Sequence, residues 1–334
     1  DVRLQVTMGK SLVIGRLAVD PPFILAPMAG LTDLALRTLA REQGAPLCFT
    51  EMISAQGLIR GGKNTLPLLR STDGDRPLGI QLFGEDPAAL AAAARMVENN
   101  CDLIDINMGC PVRKVVAGGA GSALMKDPAR VRKIVESVRK ATSLPLTIKF
   151  RTGWSSQETT FKEVAHIAES EGCDAVTLHP RSRAQMFSDH ADWSRIAELK
   201  EVLSVPVIGS GDLFEWSDVR DMFLETGCDG VMIARGVLGN PWIFDQCRAV
   251  LSGGEPANPD AGEKSRMALR HLELLSDLYG DDRAVKEMRK HLSWYVKGMP
   301  GAARFRSIIN ETVRYSALVD QVNDFFTGVT PEHC

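Results

Sequence analysis

The sequence predicts an α/β chain: a (β/α)8 barrel of the TIM type followed by a small C-terminal all-α helical domain. Three observations carry this. Short apolar runs recur eight times, each followed by a polar or glycine-rich turn and then an amphipathic stretch, so strands alternate with helices and the sheet is parallel. Three runs share one lead-in: Asn100-Cys101-Asp102-Leu103-Ile104, Gly172-Cys173-Asp174-Ala175-Val176 and Gly227-Cys228-Asp229-Gly230-Val231. A helix stop, a turn aspartate and a strand start are therefore repeated as a unit. After Phe244 the strand-like runs cease and only helical spacing remains.

In chain order, Ser11–Val19 (SLVIGRLAV) reads as a hairpin turning at Gly15, placed to plug the barrel floor. Strands are expected at Phe23–Ala26, Leu47–Thr50, Leu78–Leu82, Leu103–Ile106, Leu146–Phe150, Ala175–Leu178, Val205–Ile208 and Val231–Ile233. Between them, Pro128–Ala141, Glu158–Glu171 and Ser217–Thr226 carry helical patterns. Cys101, Cys173 and Cys228 read as small buried hydrophobes at the bottom of the fold. A doubly wound open sheet is the structural alternative, but no G-x-G-x-x-G follows the first strand. The barrel domain is expected over 1–250 and a linker over 251–262, centred on Ser252–Pro259 (SGGEPANP). The helical domain follows over 263–334, with helices at Gly262–Tyr279, Asp282–Lys297 and Arg304–Leu318.

Formal net charge is −3, so nucleic-acid binding would have to rest on a local patch. No apolar stretch approaches the ~20 residues of a membrane helix, and the opening DVRLQVTMGKSLVIGRLAVDPPF lacks the features of a signal peptide. The seven cysteines (48, 101, 110, 173, 228, 247 and 334) are scattered without a C-x-x-C pair. That argues against disulfides or a metal site and for a reducing cytoplasm. A cytoplasmic monomer is expected, with no metal and no membrane partner.

The stretch Asn107–Val116 (NMGCPVRKVV) says most about chemistry. Gly109 and Pro111 place Cys110 on a sharp turn just past a buried strand, with Arg113 and Lys114 close in sequence. A thiol at the mouth of a sheet suits proton or nucleophile chemistry. The other strand ends supply Pro27-Met28-Ala29, Glu51-Met52, Gln81, Asn107, Lys149 with Arg151, His179, Ser210-Gly211-Asp212 and Ala234-Arg235. In a parallel barrel these ends meet at one face. The glycine-containing turns after the last two strands, with Arg235, suit a phosphate. Lys149 suits a ligand that gains negative charge on reduction, as a flavin does. In the tail, eight Lys or Arg between positions 283 and 314 face only Glu287 and Glu311. Lys286, Arg289, Lys290 and Lys297 can share a helix face fit for phosphates, while Trp294 reads as bundle core.

Ala26–Asp33 (APMAGLTD), Asn107–Pro128 (NMGCPVRKVVAGGAGSALMKDP), Lys149–Trp154 (KFRTGW), His179–Arg183 (HPRSR) and Ile233–Phe244 (IARGVLGNPWIF) resemble the tRNA-dihydrouridine synthases, most closely the bacterial B-type branch. The resemblance implies FMN across the barrel mouth, NADPH or NADH as reductant and tRNA as substrate. It implies that Pro27, Met28 and Ala29 run along the isoalloxazine, that Gln81, Asn107, Lys149 and His179 bond the ring and ribityl chain, and that Ser210, Gly211, Asp212, Ala234 and Arg235 hold the phosphate end. A hydride would pass from reduced FMN to C6 of a uracil, and Cys110, as general acid, would protonate C5. Arg113 or Lys114 would stabilise the thiolate, and Arg113, Lys114, Arg181, Arg183, Lys286, Arg289 and Lys290 would touch tRNA. HPRSR, SGD and Ala234-Arg235 stand where HGRTR, NGD and Gly-Arg are common, each keeping the charged or backbone-donating element. The competing readings are an FMN-dependent dihydropyrimidine or dihydroorotate dehydrogenase acting on free pyrimidines, and an RNA-binding factor without chemistry. A basic helical tail favours the tRNA enzyme over the first.

Overall fold

The computed structural model describes residues 11–328. Residues 1–10 and 329–334, which include Cys334 and the outer ends of both expected domains, lie outside the described residues. The strands are β1 (Leu12–Ile14), β2 (Leu17–Val19), β3 (Phe23–Leu25), β4 (Leu47–Phe49), β5 (Ile53–Ser54), β6 (Leu78–Phe83), β7 (Leu103–Met108), β8 (Leu146–Arg151), β9 (Ala175–His179), β10 (Val207–Ser210) and β11 (Gly230–Ile233). Of these, β3, β4 and β6 to β11 form a parallel barrel: β11 pairs with β3, and β4 skips the short β5 to pair with β6, Cys48 opposite Leu78. The two-residue β5, which the sequence reading lacks, adds to the upper end of β6. The hairpin β1–β2 turns at Gly15 as expected. Its Leu12, Ile14 and Val19 pack against Ile24, Leu103, Ala175 and Met232 of the barrel interior and close the floor.

The helices are α1 (Leu34–Glu42), α2 (Ala55–Ile59), α3 (Pro87–Val97), α4 (Arg113–Val116), α5 (Pro128–Ala141), α6 (Phe161–Ser170), α7 (Ser194–Val202), α8 (Trp216–Thr226), α9 (Ile243–Leu251), and then α10 (Ala261–Tyr279), α11 (Asp281–Tyr295), α12 (Ala302–Glu311) and α13 (Tyr315–Thr327). Two starts are written as Asp-Pro. Asp86 and Asp127 cap α3 and α5 through their carboxylates, and the proline takes the first helical position, where its missing N–H costs nothing. The last long helix pair begins at α10 with a reciprocal capping box between Asp260 and Glu263.

The repeated lead-in has a physical cause. Asp102, Asp174 and Asp229 each donate their backbone N–H to the carbonyl of the first residue of the preceding strand: Leu78, Leu146 and Val207, at 2.8, 2.7 and 2.9 Å. Each carboxylate accepts the N–H of that same residue, at 2.7, 2.8 and 2.8 Å. One aspartate thus staples two strands at the barrel floor and fixes their register. The neighbouring Cys101, Cys173 and Cys228 are buried, as read from sequence.

Four boundaries differ from the sequence reading. The seventh strand begins at Val207 because Pro206 has no N–H to give. α6 starts at Phe161, after a small bridge from Gly153 to Thr159. α10 begins at Ala261, inside the segment read as linker. The expected helix Arg304–Leu318 is two: Thr312 is extended between α12 and α13, and the break lets Leu318, Val322 and Phe326 turn into the bundle core.

α1 belongs to both bodies. Leu36 and Ala40 enter the barrel core, while Ala35 and Leu39 enter the core of α10–α13. Caught between, Arg37 is 1% exposed and forms a bidentate-like pair with Asp75, its Nε and Nη2 at 2.9 and 2.8 Å from Oδ2. The bundle also docks through Gly239 (φ +73), where any Cβ would lie 2.5 Å from the Trp294 carbonyl carbon. Replacing Arg37 with Leu strands a buried carboxylate. We expect a loss of about 3–5 kcal/mol of stability, read as a lower urea midpoint at an unchanged slope; a shift under about 1 kcal/mol would refute it.

Candidate active site

The upper strand ends enclose a cleft of about 380 Å³, within the range of cofactor sites. It is lined by every residue expected to hold the cofactor: Pro27, Met28, Ala29, Gln81, Asn107, Lys149, His179, Ser210, Gly211, Asp212, Ala234 and Arg235, with Cys110 at the same cleft; of the other strand-end residues, Glu51 faces away from it.

Asn107 ends β7 and organises the thiol loop. Its Oδ1 accepts the N–H of Cys110 at 2.9 Å and of Gly109 at 3.2 Å. Its Nδ2 donates to Gln81 Oε1 at 2.8 Å, and Gln81 Nε2 donates to Asp105 at 2.7 Å. From the other side, Ser122 donates both its N–H and its hydroxyl to the Cys110 carbonyl, each at 3.0 Å. Gly121 (φ +60) permits this, since a Cβ there would sit 2.7 Å from that carbonyl. Burial holds the half-buried Cys110 thiol above its ordinary value, against the backbone N–H of Val112 and the charges of Arg151 and Lys149. The thiol is therefore neutral near pH 7. The cations that bear on it come from β8. Arg113 and Lys114, expected beside the thiol, are exposed on α4, so sequence proximity there is not proximity in charge.

Lys149 stands opposite Asn107 in the sheet register. Desolvation and the charge of Arg151 lower its ammonium to about 8, with Asp105 and Cys110 opposing. Arg151, two residues on and on the same face, is 2% exposed. It donates to three carbonyls, Gly109 at 2.9 Å, Ser182 at 3.0 Å and Met186 at 2.7 Å, and burial lowers it to about 10. His179 is held well below its ordinary value by desolvation and by Lys149, Arg151, Arg181 and Arg235, so its imidazole is neutral. Arg181 Nη1 lies 3.2 Å from His179 Nε2. A guanidinium only donates, so Nε2 accepts and the ring proton sits on Nδ1.

Three expected tRNA contacts are placed elsewhere. Arg181 is 2% exposed and grips Asp212 with two bonds of 2.9 and 2.8 Å. This pair carries the loop after β9 rather than a substrate strand. It also commits the Asp212 carboxylate, which burial raises but Arg181, the Ala191 N–H and Arg235 together hold below the usual range. Arg289 caps α12, donating to the Thr312 carbonyl at 2.8 Å. Lys290 pins the bundle to the barrel, donating to the Gly30 carbonyl at 2.6 Å and pairing with Glu287 at 2.7 Å. Lys286 is exposed, as are Lys297, Arg304 and Arg314. Arg183 is half-buried with its guanidinium 4.7 Å from the Trp154 ring, and Trp294 packs edge-on against His291.

The sequence reading assigns no role to Asp105 or Phe187, and places Arg151 at a strand end without a task. Asp105 interrupts an otherwise apolar buried run, and Arg151 repeats the inward face of Lys149 at the strand period of two; both signals were available. Phe187, exposed on a loop and stacked over Arg151 and Arg235 at 5.4 and 4.9 Å, carries no spacing signal.

The family model for dihydrouridine synthase matches residues 24–329. The chain belongs to the dihydrouridine synthase family. It is accordingly a tRNA-dihydrouridine synthase by class, an oxidoreductase. A "probable tRNA-dihydrouridine synthase" of Rickettsia conorii is 37% identical over 319 residues, 95% of this chain and 96% of that protein. A "tRNA-dihydrouridine synthase B" of Xanthomonas axonopodis pv. citri is 38% identical over 324 residues, 95% and 98% respectively. Among solved structures, a histamine dehydrogenase from Rhizobium sp. 4-9 shares the barrel at a TM-score of 0.58 and 15% identity, over 81% of this chain and 51% of that one. Among the described residues, no helix of this family member is long and apolar enough to cross a membrane.

The raised Cys110 thiol has a measurable sign. Its reaction with iodoacetamide, followed by mass spectrometry, should be slow at neutral pH and rise with a midpoint above that of a free cysteine. A midpoint at or below the free-thiol value would contradict the burial argument.

Proposed function

We propose that this chain binds FMN in the cleft, takes its reducing equivalents from NADPH or NADH, and reduces the C5=C6 bond of specific uridines in tRNA, with Cys110 as the proton donor. The observation that carries this reading is a thiol kept neutral by burial at the same cleft as a desolvated Lys149. One group can give a proton while the other favours a ligand that gains negative charge.

The residues present fit FMN. Pro27, Met28 and Ala29 offer an apolar edge to a planar ring. Gln81, Asn107 and the Nδ1–H of His179 offer hydrogen-bonding ends. Ser210, Gly211 and Ala234 offer backbone groups, and Arg235, half-exposed, offers a fork to a phosphate. The Asp212 side chain, turned to Arg181, serves that end by shaping the turn. Bound and reduced, FMN would supply a hydride to C6 of the uracil. Cys110 then gives its proton to C5, and the thiolate left behind is balanced by Arg151 and Lys149 rather than by Arg113 or Lys114. Donation of this kind is worth about 10²–10⁴ in rate. The target base must leave the tRNA stack to reach the cleft. Arg113, Lys114 and Arg183 near the rim, with Lys286, Lys297, Arg304 and Arg314 on the bundle, would meet phosphates. The helical segment from 263 onward is thus the tRNA-binding part. The chain acts in the cytoplasm, as a monomer.

Purified protein should be yellow and should convert uridine to dihydrouridine in tRNA from a strain lacking the activity; colourless protein that cannot take up FMN would sink the reading. Cys110→Ala should keep flavin and lose about 10²-fold or more in turnover, and wild-type turnover would remove the acid assignment. Replacing Lys286, Lys297 and Arg304 together with Ala should weaken tRNA binding and shrink its log–log salt slope by about 2–3. An unchanged slope would count against that face.

A further inference from the structure

The Cys110 turn hangs on two side-chain amides in series that end on a buried carboxylate. Asp105 is 0% exposed in the middle of β7. It accepts from Gln81 Nε2 at 2.7 Å and from Thr147 Oγ1 at 2.6 Å. Gln81 Oε1 accepts from Asn107 Nδ2 at 2.8 Å, and Asn107 Oδ1 accepts from the Cys110 N–H at 2.9 Å.

Such a series has a direction. A primary amide has one donating and one accepting end, and turning it over exchanges them. The carboxylate only accepts, so Gln81 must present its nitrogen to Asp105. That leaves its oxygen for Asn107, which must present its own nitrogen in return. The oxygen of Asn107 is then left for the backbone N–H groups of Gly109 and Cys110, which only donate. Both ends demand the same direction, and two amides between them satisfy it. No other residue in the series carries a charge.

We infer that Asp105 is a positioning residue: through Gln81 and Asn107 it fixes the attitude of the Cys110 turn at the mouth of the cleft. It touches neither the thiol nor the cleft lining; apart from its charge on Lys149, it acts on the turn by deciding which way two amides face. Its consequence for turnover rests on the proposed reduction of tRNA uridine, whereas its hold on the turn does not.

A double-mutant cycle tests the direction itself. Asn107→Asp puts an acceptor against Gln81 Oε1. If Gln81 turns over, its oxygen meets Asp105 instead, so no consistent arrangement remains once both carboxyls are ionised. Adding Asp105→Asn makes the series consistent again with its direction reversed. The new amide donates to Gln81 Oε1, Gln81 Nε2 donates to the new carboxylate, and the second oxygen of that carboxylate accepts the Cys110 N–H. The full-length protein is compared at about pH 8.5, where shared protons are scarce. The readouts are hydrogen exchange of the Gly109–Cys110 amides and the alkylation rate of Cys110.

The Asn107→Asp protein should exchange those amides roughly tenfold faster than wild type, and the double variant should return to within about threefold. A double variant no better protected than the single one overturns the inference. So does a double variant that fails to fold while Asn107→Asp folds, and so does wild-type exchange in Asn107→Asp. The expected cycle in a protein that leaves tRNA uridine unreduced would support the positioning role while removing the proposed function.

Discussion

Two cations two residues apart on β8, Lys149 and Arg151, govern the mouth of this barrel. The strand period of two points both inward, where desolvation works against their charge. Burying such groups is costly unless each finds compensation. Asp105 supplies it for Lys149 from the neighbouring strand, and three backbone carbonyls supply it for Arg151. Those carbonyls belong to the thiol turn and to the loop after β9, so compensating Arg151 also draws those two segments together. Burial together with the same field keeps His179 neutral, and burial against that field leaves Cys110 protonated. Positive charge remains in excess on the cleft side, where it would suit an anionic ligand.

The helical bundle acts on this mouth directly. Lys290 holds the Gly30 carbonyl and Glu51 the Gly30 N–H, so the two peptides that flank one residue are gripped from the bundle and from the barrel. Tyr279 adds a bond to Asp33, the cap of α1, at 3.2 Å. Met28 and Ala29, the two residues before Gly30, line the cleft. The loop after the first barrel strand therefore takes its position from both bodies.

Much of this was legible in the sequence, for reasons that differ by element. The strand–helix alternation and the Cys-Asp lead-ins are local patterns, and the chain folds them as written. The cleft residues could be read because parallel strands put all their ends on one side. What could not be read was which charges are already committed to partners within the molecule. Arg181, Arg289 and Lys290 look like a solvated binding face in one dimension, and their partners (Asp212, the Thr312 carbonyl and the Gly30 carbonyl) lie between 23 and 260 residues away. The nearest pairing by sequence, Cys110 with Arg113 and Lys114, lost to one made across strands. The split of Arg304–Leu318 was hidden for a related reason: where a helix must bend to bury its apolar face depends on the surface it meets.

The double burial of α1 bears on whether this molecule can be divided at all. Its helix surface is apolar on two sides, with Ala35 and Leu39 turned to the bundle. A chain cut within Gly253–Pro259 would leave that stripe bare, with Asp33 deprived of Tyr279 and Gly30 of Lys290. The barrel is thus not self-contained: its outer wall needs the bundle, and any transplant of either part into another scaffold must carry the α1 surface with it.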